Sequence, residues 1–190
     1  MLLVSMSVTL DGFIADRDGS FGWGVPSDEL FAFHTERVGS LGATVLGRRL
    51  FDMMLPWEND PAFRATEAHR EFADIWCALP KVVFSRTLES VPGKARLATG
   101  SVADEVAAAV ASTDRDVEIG GADLAGQALQ LGLVDELRIF RHPVIVGGGK
   151  PLLPPVTENI AVDLLETATF PGGVLYERYQ VLKGTAPAHK

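Results

Sequence analysis

Short apolar runs that alternate with helical patterns predict an α/β fold built on a mostly parallel sheet. Two further observations shape that expectation. Strands run straight into helices through glycines at Gly47 and at Gly120-Gly121. The last two strand-like stretches are separated only by Pro171-Gly172-Gly173, which predicts an antiparallel hairpin at the C-terminal edge of the sheet.

Taken in order, Leu2–Leu10 reads as a central strand, with Ser5, Ser7 and Thr9 at alternate positions. Asp11-Gly12 interrupts it, Phe13–Ala15 resumes, and Asp16–Ser20 is a polar turn. Ser27 is a good N-cap for a helix whose first turn holds Asp28 and Glu29, and Gly39–Gly42 ends that helix. Ala43–Leu46 is a short strand, followed through Gly47-Arg48-Arg49 by a short helix. Asp60-Pro61 predicts the start of an amphipathic helix running to about Cys77. Lys81–Phe84 is a strand ending in Ser85-Arg86, and Ser101–Asp104 has the spacing of a capping box for an alanine-rich helix. Val117–Ile119 is the next strand, then the glycine pair and a helix that Gly132 closes. Val134–Val146 reads as a long strand region, and Ala161–Phe170 with Val174–Leu182 forms the closing hairpin.

The bulk numbers bound the function. A chain of 190 residues with 47% hydrophobic content supports one sizeable core. One domain over residues 1–183 is therefore expected, with 184–190 a loose polar tail. A net charge of −8 and a pI near 5.0 argue against nucleic-acid or anionic-membrane partners. The single cysteine, Cys77, rules out an internal disulfide and fits a reducing compartment. The start of the chain lacks a basic segment before its apolar residues, so a cytoplasmic protein is expected. No run approaches the ~18 apolar residues of a spanning helix.

Three strand ends carry ligand-type residues. Asp116–Leu131 places Gly120-Gly121 between a strand and a helix, leaving bare backbone N–H groups at a helix N-terminus that attracts anions. Arg48 and Arg49 open another helix, where basic side chains oppose the dipole by up to about 1 kcal/mol and an arriving anion would relieve them. Ser85-Arg86 ends a third strand. Ligands of open α/β sheets bind beyond the carboxyl ends of the strands, so the three junctions together favour a phosphate site over three separate structural turns. Gly147-Gly148-Gly149-Lys150 looks like a phosphate loop, but Pro151, Pro154 and Pro155 stand where the helix of a Walker motif is required.

These residues resemble the dihydrofolate reductase fold, including the reductase (RibD C-terminal) domain of the riboflavin-biosynthesis deaminase-reductase. Ser7–Ala15 is similar to the S-L-D-G opening of the riboflavin reductases, and Glu118–Leu137 resembles their matching segment closely, continuing into Pro143–Gly147. Val45–Arg49, Ser85-Arg86 and Ile119–Gly121 resemble the nucleotide-binding corners of dihydrofolate reductase. The resemblance implies a three-layer α/β/α fold and an NADPH-dependent oxidoreductase. It implies a cofactor site of Gly47, Arg48, Arg49, Ser85, Arg86, Gly120, Gly121, Ala122, Asp123 and Leu124, with the arginines and the serine around the 2′-phosphate. Arginine forks suit a dianionic phosphate, so NADPH is expected over NADH. The implied substrate is a pterin or a (ribosylamino)pyrimidine, and sister domains imply a homodimer paired through C-terminal strands.

Trp23–Asp28 resembles the W-x-x-P-x-D stretch of dihydrofolate reductase, which gives Asp28 a role in holding and protonating the substrate. Partial burial beside Trp23 and Phe31 would raise its pKa. Asp11 is the competing substrate-side carboxylate, and both also have plain readings, as a helix-start residue and a turn residue. Glu118 reads as structural. The H-x-E and C-x-x-C of a zinc deaminase are absent. A nucleotide-binding sensor without turnover is the alternative reading, and a flavin reductase a third.

Overall fold

A computed structural model describes residues 1–156 and 158–183, so the expected loose tail, 184–190, lies outside the described residues. The strands are β1 (Leu2–Thr9), β2 (Phe13–Ala15), β3 (Ala43–Gly47), β4 (Lys81–Phe84), β5 (Ala95–Leu97), β6 (Val117–Gly120), β7 (Glu136–His142), β8 (Lys150–Pro151), β9 (Val162–Phe170) and β10 (Val174–Val181). The helices are α1 (Asp28–Ser40), α2 (Arg48–Met54), α3 (Pro56–Asn59), α4 (Glu67–Ala78), α5 (Val102–Ala111) and α6 (Ala122–Gln130). Eight strands form one sheet in the order β5-β4-β3-β6-β1-β7-β10-β9. From β5 to β7 every pairing is parallel, and only β10 and β9 run antiparallel, as the hairpin turn predicts.

Side-chain alternation divides the sheet into two faces. Val4, Val45, Val82 and Ile119 pack with α5 and α6 on one face. Leu3, Leu46 and Val83 pack with Phe72 and Trp76 of α4 on the other. Leu30 of α1 joins Phe140 and Tyr176 in a third cluster on the α1 side. The helices thus form the outer layers of a three-layer fold, and β1 is central, as its apolar run predicts.

Several local expectations change. Asp60 caps only a 3₁₀ turn, Pro61–Arg64, accepting from Ala62 N–H at 2.9 Å. Thr66 then caps α4 afresh through His69 N–H at 3.1 Å, so one expected helix is two. The long strand from Val134 shortens to β7, because Pro143 has no N–H to continue the ladder. Val144 N–H turns back onto the His142 carbonyl at 2.8 Å. β2 does not continue β1 in the main sheet; it pairs with β8 in a separate two-stranded ribbon. Only glycine fits at 149 there, because a Cβ would stand 2.1 Å from the Ala15 carbonyl oxygen. The edge strand β5 carries too little apolar pattern to be read from sequence.

The capping box at Ser101 is present, and Glu105 behind it is the tighter device. Its buried carboxylate accepts from Thr99 N–H at 2.7 Å and Gly100 N–H at 2.9 Å and meets the Arg96 guanidinium at 2.6 Å. The Arg96 bond first, then the two backbone bonds, hold its pKa down to about 2 against burial. A depressed folded pKa stabilises fully above the unfolded value of about 4.5 and is lost as pH falls towards 2. Glu105→Gln is expected to cost about 1–3 kcal/mol at neutral pH. Urea unfolding measured from pH 7 to pH 2 should show the variant losing less additional stability below pH 4.5 than the parent.

Candidate functional site

The site lies along the carboxyl ends of five adjacent parallel strands, β4, β3, β6, β1 and β7. Register sets their ends at two levels: Gly47 faces Phe84 and Leu46 faces Gly120, while β1, with Leu3 facing Glu118, runs on past the end of β6 to Thr9, which faces His142. With neighbouring strands about 4.8 Å apart, the five strands cover about 20 Å across the sheet. The three βα corners read from sequence are therefore side by side on one edge.

At the central corner Gly121 caps α6 with φ +94°, a conformation that L side chains avoid, and no side chain caps this helix. Its early N–H groups therefore point out of the corner without a side-chain acceptor. Gly120 plays a different part from the one expected. A Cβ there would lie 2.5 Å from Leu50 Cδ2, so its missing side chain makes room for α2, not for a ligand. Ala122 and Leu124 turn their side chains into the core, which leaves only their backbone to face a ligand. Asp123 is exposed and ion-paired with Lys150. Sequence reasoning rightly rejected a Walker motif at Gly147–Lys150, yet the β2–β8 ribbon delivers Lys150 to the start of α6. Nothing in the local pattern predicts that contact.

At the outer corners Arg48 and Arg49 are exposed at the start of α2. Arg48 Nε bonds Asp52 at 3.2 Å, and its guanidinium also donates to Thr87 Oγ1, tying α2 to the loop after β4. Ser85 Oγ accepts from Thr87 N–H at 3.2 Å and Leu88 N–H at 3.0 Å, so its lone pairs organise that loop while its O–H can still donate. Among the described residues Arg49 and Arg86 have no ion-pair partner, which leaves both guanidiniums open to an anion.

The two expected catalytic carboxylates are placed differently. Asp28 is exposed at the first position of α1, not partly buried beside Trp23 and Phe31 as expected. The helix start points it outward, because Leu30 takes the core-facing position. Asp11 accepts from Thr9 Oγ1 at 2.6 Å and from Gly147 N–H at 2.8 Å. The Thr9 hydroxyl is the main cause that holds its carboxyl below 3.8. Asp11 is thus an ionised tie between two loops and a poor proton donor.

Between the Trp23 turn, the end of β7 and the β9–β10 turn lies a cleft of about 260 Å³, whose walls include Trp23, Ser27, His142, Val144 and Val174. The indole of Trp23 meets the His142 ring edge-on at 5.2 Å. Burial lowers the His142 pKa, and it also pushes His34, whose ring lies tilted against Phe140, down to about 4, with Arg37 and His142 adding to the shift. Both imidazoles are neutral at physiological pH. His142 escaped the sequence reading; Pro143, which ends its strand, was the available signal. Among the described residues no cluster of three potential metal ligands occurs, and no helix is long and apolar enough to cross a membrane.

Residues 1–176 match the RibD C-terminal domain family. The chain belongs to that family. A relative of this RibD C-terminal domain, the uncharacterized protein YyaP of Bacillus subtilis (strain 168), is 30% identical over 178 residues, covering 92% of this chain and 91% of the relative. Among solved structures, a putative riboflavin biosynthesis protein from Shewanella sp. PV-4 superposes with a TM-score of 0.74 at 26% identity, covering 96% of this chain and 99% of the other. The dihydrofolate reductase from Enterococcus faecalis complexed with NADP(H) and RAB-propyl gives 0.62 at 16% identity, covering 96% and 97%. The diaminohydroxyphosphoribosylaminopyrimidine deaminase/5-amino-6-(5-phosphoribosylamino)uracil reductase from Thermotoga maritima gives 0.65 at 17%, and this RibD C-terminal domain spans 96% of its own length and 56% of that chain. The fold is therefore the dihydrofolate reductase-like one that the sequence resemblance implied.

Two substitutions test the geometry. Gly121→Ala is expected to destabilise by about 1–3 kcal/mol through backbone strain alone, because its Cβ would meet nothing closer than 3.5 Å; thermal unfolding reads the loss. Thr9→Val removes the bond that holds Asp11 down, so an NMR titration should find the Asp11 carboxyl moving up towards 3.8.

Proposed function

We propose that the chain is an NADPH-dependent reductase that transfers hydride to a pterin or (ribosylamino)pyrimidine-type heterocycle. The observation that carries this reading is the alignment of three βα corners on one edge, with unpaired Arg49 and Arg86 outside an uncapped helix start. Arg48, Arg49, Ser85 and Arg86 would hold the 2′-phosphate, since guanidinium forks and a hydroxyl donor match its oxygens. Gly47, Gly121 and the backbone N–H groups of Ala122, Asp123 and Leu124 would receive the pyrophosphate at the start of α6. Lys150 offsets the Asp123 charge there. Bound NADPH supplies the hydride, and the protein's part is to orient it, shield it from water and present the substrate ring. Asp11 would serve as a fixed anion near the substrate edge, and Asp28 would exchange protons from a solvent-facing position. The relatives named for riboflavin biosynthesis and for NADP(H) support the same reading.

A homodimer paired through β9 fits the surface. This edge strand is exposed along almost its whole length, with Val162, Leu164 and Leu165 open to solvent. Unpaired edges of this length invite a partner strand.

Binding measurements test the cofactor half. NADPH should bind at least about tenfold more tightly than NADH, and Arg48→Ala or Arg86→Ala should remove about 1.5–3 kcal/mol of NADPH binding while leaving NADH affinity nearly unchanged. Equal affinity for both cofactors in the parent would defeat the 2′-phosphate assignment. Loss of NADPH absorbance with a panel of pterins and pyrimidines tests turnover.

A further inference from the structure

The reductase reading leaves one feature unused. Trp23 Nε1 and His142 Nε2 are both closed off from solvent, and neither has a hydrogen-bond partner. A buried donor or acceptor left unmet in this way is destabilising. The His142 side chain is buried, with only 4% of the residue exposed, and both rings stand in the wall of the 260 Å³ cleft. Val25, Val144, Pro171 and Val174 give that wall its apolar part, and Ser27 lines it beside them.

The cleft's size and chemistry restrict its occupant. Small-molecule sites begin at about 300 Å³, so this one takes a single ring system and not a dinucleotide. No cation faces it, because His142 and the nearby His34 are held neutral, which disfavours a phosphate or carboxylate. An indole N–H only donates, so the occupant must present an acceptor to it. A neutral imidazole with its proton on Nδ1 has an accepting Nε2, which calls for a donor beside that acceptor. β7 lies two strands from β6 in the sheet and ends further along the strand direction, so the cleft is about 16 Å from the Gly121 corner.

We propose that the Trp23–His142 cleft binds the uncharged lactam edge of a heterocycle, the ring carbonyl accepting from Trp23 Nε1 and the adjoining ring N–H donating to His142 Nε2. The indole must slide off the imidazole edge to admit it. Trp23 sits on a three-residue 3₁₀ turn, Gly22–Gly24, that no side chain caps, between the exposed Phe21 and Val25. A neutral imidazole, instead of the Asp28 carboxylate, then reads the ring. That the ring is the substrate's rests on the reductase reading; its binding to the cleft does not.

The test is equilibrium binding of lumazine, followed by its fluorescence, to the full chain without cofactor. Saturable binding is expected, and 1,3-dimethyllumazine, which lacks both ring N–H donors, should bind at least about tenfold more weakly. His142→Phe keeps an aromatic ring against Trp23 and should weaken lumazine by about tenfold while NADPH binding stays at the parent value. Trp23→Phe should do the same, and it decides the matter if the first variant fails to fold. No lumazine binding, equal affinity for the dimethyl compound, or unchanged affinity in both variants would overturn the proposal. A parent protein that discriminates the two lumazines but does not bind NADPH would sink the reductase reading and leave the cleft assignment standing.

Discussion

The parallel pairing of β3 between β4 and β6 is the constraint on which the site depends. A strand's register sets where it ends, and here Gly47 is level with Phe84 while Leu46 is level with Gly120. A slip of one residue would turn Val45 and Ile119 out of one core and Leu46 out of the other, so burial on both faces holds the register. Once the ends are level, Gly120 admits Leu50 and lets α2 close over β6. Gly121 then turns the chain into α6 with its backbone facing outward. The exposed arginines become neighbours as a consequence of core packing.

The α1 side of β7 changes character along its length. Near its start, buried Glu136 meets Arg138 and also Arg178 at 2.8 Å, and Arg138 reaches Asp116 at 3.6 Å. Next to them Arg37 of α1 meets Glu118 of β6 at 3.3 Å and lies 5.3 Å from the centre of the Phe140 ring. Burial pushes the Glu118 carboxyl up, and Arg37 and Arg138 pull it back. Buried pairs of this kind add little net stability, but breaking one leaves a charge stranded, so they dictate how α1 seats on the sheet. Towards the carboxyl end the same face passes through Phe140 to the neutral His142. The charged end anchors the helix, and the uncharged end is left free to meet a ligand.

The chain is acidic overall, with a net charge of −8, yet Arg49 and Arg86, two of the arginines without an ion pair among the described residues, stand at the candidate cofactor edge. Asp123, which would repel a phosphate there, is offset by Lys150 from a distant loop. The same loop is tied back by Asp11 to Gly147 N–H and by Arg17 to the Gly147 carbonyl. Two polar contacts and a two-stranded ribbon thus hold residues 11–17 against residues 147–151 beside the site.

The fold and the three strand-end corners were legible in the chain, because the patterns that mark them are local. Period-two alternation marks β1 and β6, short apolar runs mark β3 and β4, the turn at Pro171–Gly173 marks the hairpin, and glycine next to a helix pattern marks two of the three corners. Chain order alone could also place Arg48, Arg49, Ser85 and Arg86 at strand ends. What needed the tertiary structure was everything that depends on which segments meet. Residue type does not reveal that Asp28 faces solvent, that Asp11 ties two loops, or that Gly120 makes room for Leu50. Lys150 reaches α6, and Trp23 meets His142, across more than a hundred residues in the second case, and only the folded sheet brings such separated groups within a few ångströms.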